Sequence, residues 1–373
     1  MTAAKFPSTK PGAAQAALLR LVLAGLGLIL IYYTGYDYFS PVYRLPRPRP
    51  FFRVGNDSWW REVVCKRAGH WEEEPGSPLK KLFRDVTPEK DKNIFLMDTA
   101  CNSKPKYRVW CSVESWAKQH PNRQVWFLFT AGGMAEAELP HILLHRYPNL
   151  HVVGVDLEEL FGDSPLVPLF TSRKWTREDT WPVELLSDML RVLVLWRWGG
   201  VYSDTDVLSI RPVTLPLNAL GFEHSGCIGS AFYSFHAQNP MLLDLMEDMQ
   251  EKFSPRQWGS IGPIAISRVV EKTCKKNLKE LSEKAPTKCP GNLTLYPRRT
   301  FYPIPFPSYR EFFNPGGGKH FDKMFKETFT LHLWNKMSKG TAMKVNSSSI
   351  YEVAARKVCP FTFQIATAES DVF

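Results

Sequence analysis

A Gly-Gly turn followed by two closely spaced carboxylates is the feature that most constrains this chain. Gly199 and Gly200 follow an apolar run, residues 187–198, that is predicted to be a helix, and a short extended segment comes after them. Asp204 and Asp206 end that segment, and residues i and i+2 of an extended chain point the same way. The two carboxylates are therefore predicted to converge on one cation, Mn²⁺ or Mg²⁺, with coordination positions left for a diphosphate.

Two charged residues lie on the predicted helix before this turn. Asp188 and Arg191 are three positions apart and share one helix face. An exposed ion pair is one interpretation, but the rest of the helix is too apolar to lie on the surface. Because a charged pair on a buried helix more often serves a site, we predict that both residues bind the same ligand as the acidic pair.

Beyond residue 92, short apolar runs alternate with a helical pattern. Predicted strands cover residues 93–98, 125–129 and 151–155, and residues 111–120 are predicted to be a helix. This order indicates an α/β fold with an open, Rossmann-like sheet of mostly parallel strands, in which ligands bind at the carboxyl ends of the strands. Asp98 and Thr99 stand at such an end, so they are candidate ligand-binding residues.

The run from Ser187 to Val207 resembles the α-1,4-glycosyltransferase family of the Golgi. This family includes lactosylceramide 4-alpha-galactosyltransferase and alpha-1,4-N-acetylglucosaminyltransferase, and its motif is S-D-x-x-R followed by G-G-I-Y-x-D-T-D. Further matches lie in the same order at residues 111–115 (C-S-V-E-S), 301–304 (F-Y-P-I), 332–336 (H-L-W-N-K) and 359–360 (C-P). The resemblance spans residues 93–362 and implies a GT-A fold, a UDP-sugar donor and a divalent cation.

The resemblance assigns roles to several residues outside the acidic pair. His332 is expected to be the third protein ligand of Mn²⁺, since a neutral imidazole binds this ion. Trp334 and Asn335 are expected to border the diphosphate, and Lys336 to neutralise the departing charge. Tyr202 is expected to bind the donor, together with Asp98, Thr99, Asp188 and Arg191.

The chain departs from the family where the donor sugar is expected. Residues 258–263 resemble W-G-x-Q-G-P, but Ile261 replaces a Gln that would lie near the anomeric carbon. Ser230 similarly stands near the position of a family Asn. Trp258 and Gly262 are predicted to be catalytic-site residues, and the ring of Trp258 is expected to stack on a sugar. Three explanations stay open: a different donor sugar, substitution by Gln257 or Ser230, or weakened catalysis.

The N-terminal region is predicted to carry an anchor and a stem. Residues 13–36 contain an apolar stretch close to the roughly 20 residues that cross a bilayer, with no cleavage site after it. The family's type II topology then implies a cytosolic tail (1–12), a transmembrane signal anchor (13–36), a lumenal stem (37–92) and a catalytic domain (93–373). The stem is Pro-rich, yet its tryptophans, Trp59, Trp60 and Trp71, indicate that part of it docks on another surface.

Seven cysteines are typical of an oxidising compartment. The resemblance implies a bridge between Cys274 and Cys289. Cys101, Cys111 and Cys359 are candidates for a second bridge, with the connectivity open. Because seven is odd, at least one thiol is free or intermolecular, and Cys65 is the candidate. Sequons at Asn56, Asn292 and Asn346 are compatible with a lumenal body.

These patterns together predict the partners of the chain. The net charge of +10 suits a membrane surface or diphosphate substrates, whereas the scattered basic residues and the lack of a recognised module predict no nucleic-acid binding. The resemblance implies a UDP-sugar donor, a glycolipid or glycoprotein acceptor and the Golgi membrane as partners, and the stem is a candidate homodimer surface.

The resemblance implies retaining transfer of a hexose, galactose or N-acetylhexosamine, in α-1,4 linkage. A non-catalytic or altered-donor family member is the alternative, because of Ile261. A phosphatase with Asp204 as nucleophile is a second alternative. It is disfavoured because that class places its motif after the first strand of its domain.

Overall fold

The computed structural model describes residues 59–71, 76–281, 283–370 and 373. Within these ranges, no helix has the length and apolar character needed to cross a membrane. The predicted tail, transmembrane segment and Asn56 lie outside the described residues, as does the stem up to residue 58. The predicted divisions of the chain therefore stay predictions.

Strands and helices alternate through the described residues. The strands are β1 (Ser77–Pro78), β2 (Asn93–Asp98), β3 (Gln124–Phe129), β4 (Gly133–Met134), β5 (Leu150–Gly154), β6 (Gly200–Ser203), β7 (Val207–Ser209), β8 (Ala219–His224), β9 (Cys227–Ile228), β10 (Phe232–Phe235), β11 (Thr287–Lys288), β12 (Thr294–Tyr296) and β13 (Thr330–His332). The α-helices are Trp59–Ala68, Tyr107–Gln119, Glu138–Arg146, Leu157–Phe161, Val167–Thr171, Pro182–Trp198, Pro240–Lys252, Pro263–Cys274, Arg298–Phe301, Phe321–Met324, Asn335–Ser338, Ile350–Val358 and Pro360–Glu369. Short 3₁₀ helices cover Lys174–Thr176, Leu278–Glu280 and Phe306–Phe313.

The main sheet has the strand order β11-β12-β8-β10-β6-β2-β3-β5, with β9 paired to β8. The four strands β6, β2, β3 and β5 are parallel, as the sequence predicts. On the other side, β10 runs antiparallel to both β6 and β8, so the prediction of a mostly parallel sheet is wrong and the sheet is mixed. The connections from β8 through β9 to β10 are too short for the crossovers that parallel pairs need.

Alternate residues of β2 pack into two cores, one on each face of the sheet. Phe95 and Met97 belong to one core, and Ile94 and Leu96 to the other. The helix Pro182–Trp198 packs in the first core and is buried around most of its circumference. Its apolar surroundings explain why it needs no polar face.

Part of the predicted stem docks on the body, as its tryptophans indicate. Trp60 is buried, and the ring of Trp59 packs on Phe170 and Trp175. Trp71 is 45% exposed, so it does not belong to this contact. The helix Trp59–Ala68 is thereby held against the body that carries the main sheet.

Three disulfides join the described cysteines. The Cys274–Cys289 bridge confirms the pair that the resemblance implies, and Cys111 pairs with Cys359. Cys65 pairs with Cys101, so the expectation that Cys65 is unpaired is wrong. The free thiol is Cys227. Docking of the stem helix brings Cys65 to the loop after β2, which sequence spacing does not show.

Replacing Cys65 with Ser is expected to destabilise the protein by about 3–4 kcal/mol, because it opens a loop of 36 residues. The measurement is chemical unfolding of the full chain under oxidising conditions. Cys227→Ser is the matched control and should leave stability nearly unchanged. Equal stability of the two variants would contradict a structural role for the bridge.

Candidate active site

The acidic pair lies in a turn at the edge of the parallel strands. Gly200 adopts φ +109°, and a Cβ there would lie 2.2 Å from the carbonyl oxygen of Asn93, so β6 can lie beside β2 only with glycine at this position. Asp204, Thr205 and Asp206 form the turn between β6 and β7, closed by the Val207 amide donating to the Asp204 carbonyl at 3.2 Å. The predicted extended geometry of the pair is therefore wrong, although the two carboxylates do converge.

His332 is brought to the acidic pair by strand pairing. β13 runs antiparallel to β7, with His332 opposite Val207. His332 Nε2 lies 3.3 Å from Asp206 Oδ1. The ligand atoms of His332, Asp204 and Asp206 all lie within 4.8 Å of one another. Two carboxylate oxygens and one imidazole nitrogen suit Mn²⁺, so these residues fit the predicted cation.

His332 and Asp206 shift each other's pKa. Burial raises the pKa of Asp206, but His332 and the backbone amide of Asn335 lower it to a net value below its ordinary one. Burial lowers the pKa of His332, but Asp206 raises it to a net value above the ordinary one. His332 Nδ1 is buried and has no hydrogen-bond partner among the described residues. Each of the two side chains therefore favours the charged form of the other.

Asp206 is also held from the segment that follows β13. The backbone amide of Asn335 donates to Asp206 Oδ2 at 2.6 Å, and the Leu333 amide donates to the Asp206 carbonyl at 2.9 Å. The indole of Trp334 donates to the Ile304 carbonyl and packs 3.9 Å from the ring centroid of His332. This segment thus positions both candidate ligands, with Trp334 buried behind His332.

Asp188 and Arg191 join the acidic pair, as the helix pattern predicts. An Arg191 Nη lies 3.1 Å from Asp188 Oδ1 and 3.4 Å from Asp204 Oδ1. Arg191 also donates to the Ser230 carbonyl, and its guanidinium lies 4.7 Å from the ring centroid of Tyr202. Burial would lower the pKa of Arg191, but Asp204, Tyr202 and Asp188 raise it, so the guanidinium stays charged.

Asp204 is held on its other side by Tyr202. The Tyr202 hydroxyl donates to Asp204 Oδ1 at 2.5 Å and lies 3.1 Å from the Ser187 hydroxyl. Ser187 also accepts a hydrogen bond from Arg191. A carboxylate held by a phenol and a guanidinium is oriented as a ligand rather than freed as a nucleophile, which disfavours the phosphatase alternative.

The C-S-V-E-S segment supports the strand after the acidic pair. The Ser112 hydroxyl donates to the Val207 carbonyl at 2.7 Å, and Ser115 Oγ accepts the Ser209 amide at 3.0 Å. Glu114 accepts backbone amides at the start of the helix Pro360–Glu369, at residues 361 and 362. This motif therefore braces the site from behind, a role that its sequence alone does not reveal.

Gly262 lies directly against Asp188. A Cβ at this position would come within 2.6 Å of Asp188 Oδ2, so only glycine leaves the carboxylate in place. Ile261 is fully buried in the hydrophobic core, which explains an aliphatic side chain there. The loop therefore meets the site through Gly262, whereas the side chain of residue 261 does not reach solvent.

Replacing Gly262 with Ala is expected to displace Asp188 and to lower kcat/KM for sugar transfer by about 10-fold or more, because a misplaced ligand-binding group costs catalysis. Residue 262 has a φ of −99°, so alanine does not meet the left-handed strain that favours glycine. Steady-state kinetics and thermal melting check this, with Gly340→Ala as the control, since a Cβ at Gly340 meets no atom within 4 Å. Equal activity of the two variants would contradict the contact.

A cleft of about 1360 Å³ opens beside the acidic pair. It is lined by Asp98 and Thr99 at the end of β2, and by Arg191, Asp204 and Asp206. Thr99 Oγ1 donates to the Val183 carbonyl, which joins β2 to the start of the helix Pro182–Trp198. The predicted strand end and the acidic pair therefore share one cavity.

Trp258 and Lys336 contact each other at the rim of the cleft. Lys336 Nζ is 4.4 Å from the ring centroid of Trp258 and 3.3 Å from Glu184 Oε1. Trp258 is 45% exposed and meets the edge of Trp181. Their predicted roles with the donor, and those of Tyr202, Trp334 and Asn335, stay predictions.

Two polar residues in or near the site were missed by the sequence analysis. Ser187 begins the matched motif, and its hydroxyl contacts Tyr202 and Arg191. Glu223 is half-buried on β8, and the charges of His332 and Asp204 influence its pKa. No motif marks Glu223, because the strand pairing that brings β8 toward the site is not visible in the sequence.

Two family profiles match this chain on either side of β9. Residues 106–225 match the glycosyltransferase sugar-binding region containing the DXD motif, and residues 234–366 match the alpha 1,4-glycosyltransferase conserved region. The first range contains Asp188, Arg191, Asp204 and Asp206, and the second contains His332. The DXD motif of the first profile is thus the acidic pair.

Curated relatives match most of their own length. Lactosylceramide 4-alpha-galactosyltransferase of Gorilla gorilla gorilla is 31% identical over 276 residues, which cover 73% of this chain and 83% of the relative. The Homo sapiens enzyme of that name is 30% identical, covering 73% and 76%. Alpha-1,4-N-acetylglucosaminyltransferase of Homo sapiens is 30% identical over 281 residues, covering 73% and 80%. Among solved structures, the bifunctional glycosyltransferase WbbM aligns over 77% of this chain and 53% of its own, with a TM-score of 0.41 and 10% identity.

The site and these matches define a glycosyltransferase. The chain belongs to the α-1,4-glycosyltransferase family, which confirms the resemblance drawn from its motifs.

Proposed function

We propose that this chain is a retaining, Mn²⁺-dependent transferase of the GT-A fold. It would move galactose or an N-acetylhexosamine from a UDP-sugar, in α-1,4 linkage, to a glycan on a lipid or protein. The single observation that carries the proposal is the cluster of Asp204, Asp206 and His332, whose ligand atoms lie within 4.8 Å of one another beside the cleft. The names of two relatives specify lactosylceramide, which supports a glycolipid acceptor.

Different residues of the cleft would bind different parts of the donor. Asp98 and Thr99 would meet the nucleoside, because they line the cleft at the end of β2. Asp204, Asp206 and His332 would hold Mn²⁺, which when bound supplies positive charge to the departing diphosphate. Asp188 lies against Gly262, on the side where the donor sugar is expected.

Charge and exposure at the rim support an acceptor site there. Lys336 could leave Trp258 to meet the diphosphate, because its ion pair with Glu184 is exposed and weak. The exposed face of Trp258 suits stacking on the C–H surface of a sugar. Front-face attack by the acceptor hydroxyl would retain the anomeric configuration.

A Golgi location, type II anchoring and a homodimer through the stem are further parts of the proposal.

A donor panel tests this function with the full chain in detergent. UDP-galactose, UDP-N-acetylgalactosamine, UDP-N-acetylglucosamine and UDP-glucose are each offered with Mn²⁺ and mixed glycolipid acceptors, while calorimetry measures binding of UDP with Mn²⁺. We expect transfer from one donor and loss of both signals on removing Mn²⁺ with a chelator. Failure to bind UDP would contradict the proposal.

A family member that binds nucleotide-sugar without transferring it is the second candidate. The observation in its favour is that Ile261, fully buried, offers the cleft no amide. Binding of UDP with Mn²⁺, together with no product from all four donors, would support this alternative.

A further inference from the structure

The helix Trp59–Ala68 of the predicted stem is bonded to one wall of the cleft. Cys65 on this helix forms the stem disulfide with Cys101, which lies in the β2 loop (residues 98–102), and the two Cα atoms are 5.3 Å apart. Both cysteines are buried. The residues on either side of Cys101 line the cleft. The stem is therefore joined covalently to the loop that carries the candidate nucleoside-binding residues.

A chain of hydrogen bonds makes a second connection from the stem to the β2 loop. Arg61 Nη1 donates to the Thr130 carbonyl at 3.0 Å. The Thr130 hydroxyl donates to the Asp98 carbonyl at 3.1 Å and accepts the Cys101 amide at 3.2 Å. The backbone amide of Thr130 also donates to the Asp98 carbonyl, at 3.1 Å. Because Thr130 holds the loop at two places, Arg61 holds the loop through Thr130.

The backbone of the β2 loop depends on such contacts. Cys101 adopts φ +58°, in the left-handed region that residues with a Cβ rarely occupy. A conformation of this kind persists only where the surrounding structure holds it, and it occurs preferentially at active sites and ligand clamps. The stem disulfide holds the side chain of Cys101, and Thr130 holds its backbone amide. The stem therefore supports the shape of the β2 loop through two separate contacts.

The stem also reaches the cleft directly, through His70. Gly69 follows the helix with φ +82°, and its amide donates to the Lys66 carbonyl at 3.0 Å. The amide of His70 donates to the carbonyl of Cys65 at 2.9 Å, which holds His70 beside the stem disulfide. His70 is half-buried and lines the cleft. This turn thus places His70 in the cleft wall, near the β2 loop.

We propose that residues 59–70 of the predicted stem are part of the donor-binding site. Arg61 and the stem disulfide are positioning groups that hold the β2 loop where it meets the nucleoside, and His70 forms the adjoining part of the wall. This inference rests on the proposed function, which places the nucleoside at the end of β2. The nucleoside is bound alike in UDP, in the donor and in the transition state. Loss of these groups should therefore weaken donor binding more than it slows transfer.

The test compares Arg61→Met with the control Arg67→Met in the full chain in detergent. Arg67 lies on the same helix but donates to the carbonyls of Thr176 and Thr180 instead of Thr130, so the control also removes a contact between stem and body. We expect Arg61→Met to raise the Kd for UDP with Mn²⁺, and the KM for the donor, by about tenfold, the effect of losing one hydrogen bond from a charged group. The kcat should stay within about twofold of the wild type, and Arg67→Met should match the wild type. Arg61→Lys should recover part of the affinity, because an ammonium group also donates to a carbonyl.

Pyrophosphate with Mn²⁺ separates an effect on the nucleoside from an effect on the cation site. Pyrophosphate lacks a nucleoside, so its Kd should be the same for Arg61→Met and the wild type. His70→Ala leaves both connections to the β2 loop in place, and we expect it to raise the Kd for UDP by about fivefold, the effect of one lost hydrogen bond. Thermal melting establishes that each variant is folded. If Arg61→Met does not fold, Arg61→Lys and His70→Ala provide the same comparison.

The outcomes that would overturn the inference differ from those that would overturn the proposed function. Equal Kd values for UDP in Arg61→Met and Arg67→Met, with a wild type that binds UDP, would overturn the positioning role. An equal loss of UDP and pyrophosphate binding would place the effect at the cation site and overturn it as well. An unchanged Kd in His70→Ala would remove His70 from the site. A wild type that binds neither UDP nor pyrophosphate with Mn²⁺ would overturn the proposed function, and this inference with it.

Discussion

Replacing Asp206 with Asn is expected to lower kcat/KM for sugar transfer by about 10³-fold or more and to abolish the Mn²⁺ dependence of UDP binding. Asp206 meets His332 through Oδ1 and accepts the Asn335 amide through Oδ2. The amide of Asn removes the negative charge, so the cation loses a ligand. If the nitrogen of the substituted side-chain amide faces the backbone amide of Asn335, two hydrogen-bond donors point at each other and neither has an acceptor.

Steady-state kinetics and calorimetric titration of UDP with and without Mn²⁺ measure this effect. Asp322→Asn is the matched control, because its carboxylate is 79% exposed and pairs with Lys357 on the surface. The control should keep the activity and cation dependence of the wild type. Transfer by Asp206→Asn within about threefold of the control would remove the basis for the cation site.

Replacing Arg191 with Met should have the largest effect on stability. The guanidinium lies between Asp188 and Asp204, and its side chain is only 6% exposed. Met is similar in volume but removes the cation that pairs with the buried carboxylate of Asp188, and it leaves Asp204 with the hydroxyl of Tyr202 alone. Breaking a buried ion pair from one side costs about 3–5 kcal/mol, so we expect a fall in the free energy of unfolding of that size. Binding of the donor should be lost as well, because both carboxylates would move.

Chemical unfolding of the full chain measures this change. Arg256→Met is the control, because the Arg256 side chain is 83% exposed in its ion pair with Asp179 and should matter little. Burial raises the pKa of Asp188 to about 6 even with Arg191 present, so charge at this position is costly. The double variant with Asp188→Asn should therefore be more stable than Arg191→Met alone. Simple addition of the two losses would contradict this coupling.

Local sequence patterns were sufficient where chemistry and neighbours lie close along the chain. The strands at residues 93–98 and 125–129 were predicted within one residue of Asn93–Asp98 and Gln124–Phe129. Their unbroken apolar runs reflect burial on both faces of a parallel sheet. Asp188 and Arg191 were likewise found from helical spacing alone, since a three-residue interval fixes a shared face.

Contacts between distant segments could not be found in that way. Its position in the predicted stem made Cys65 the candidate for a free thiol, but docking of the stem helix brings it to Cys101. The acidic pair converges in a turn held by Asn335, 129 residues away, rather than along a strand. Arg61 has no motif around it, and only docking of the stem helix brings it to Thr130.

By itself the sequence determined the family, the parallel part of the sheet and the candidate cation ligands. It did so because motif spacing and apolar periodicity are local properties, which can be recognised from the sequence without a three-dimensional structure. The tertiary structure decided which groups meet: His332 with Asp206 through β7 and β13, Gly262 with Asp188, and the burial of Ile261. These contacts depend on strand pairing and packing between segments that are far apart in the chain. The free energy of such contacts cannot be inferred from any one short stretch of sequence.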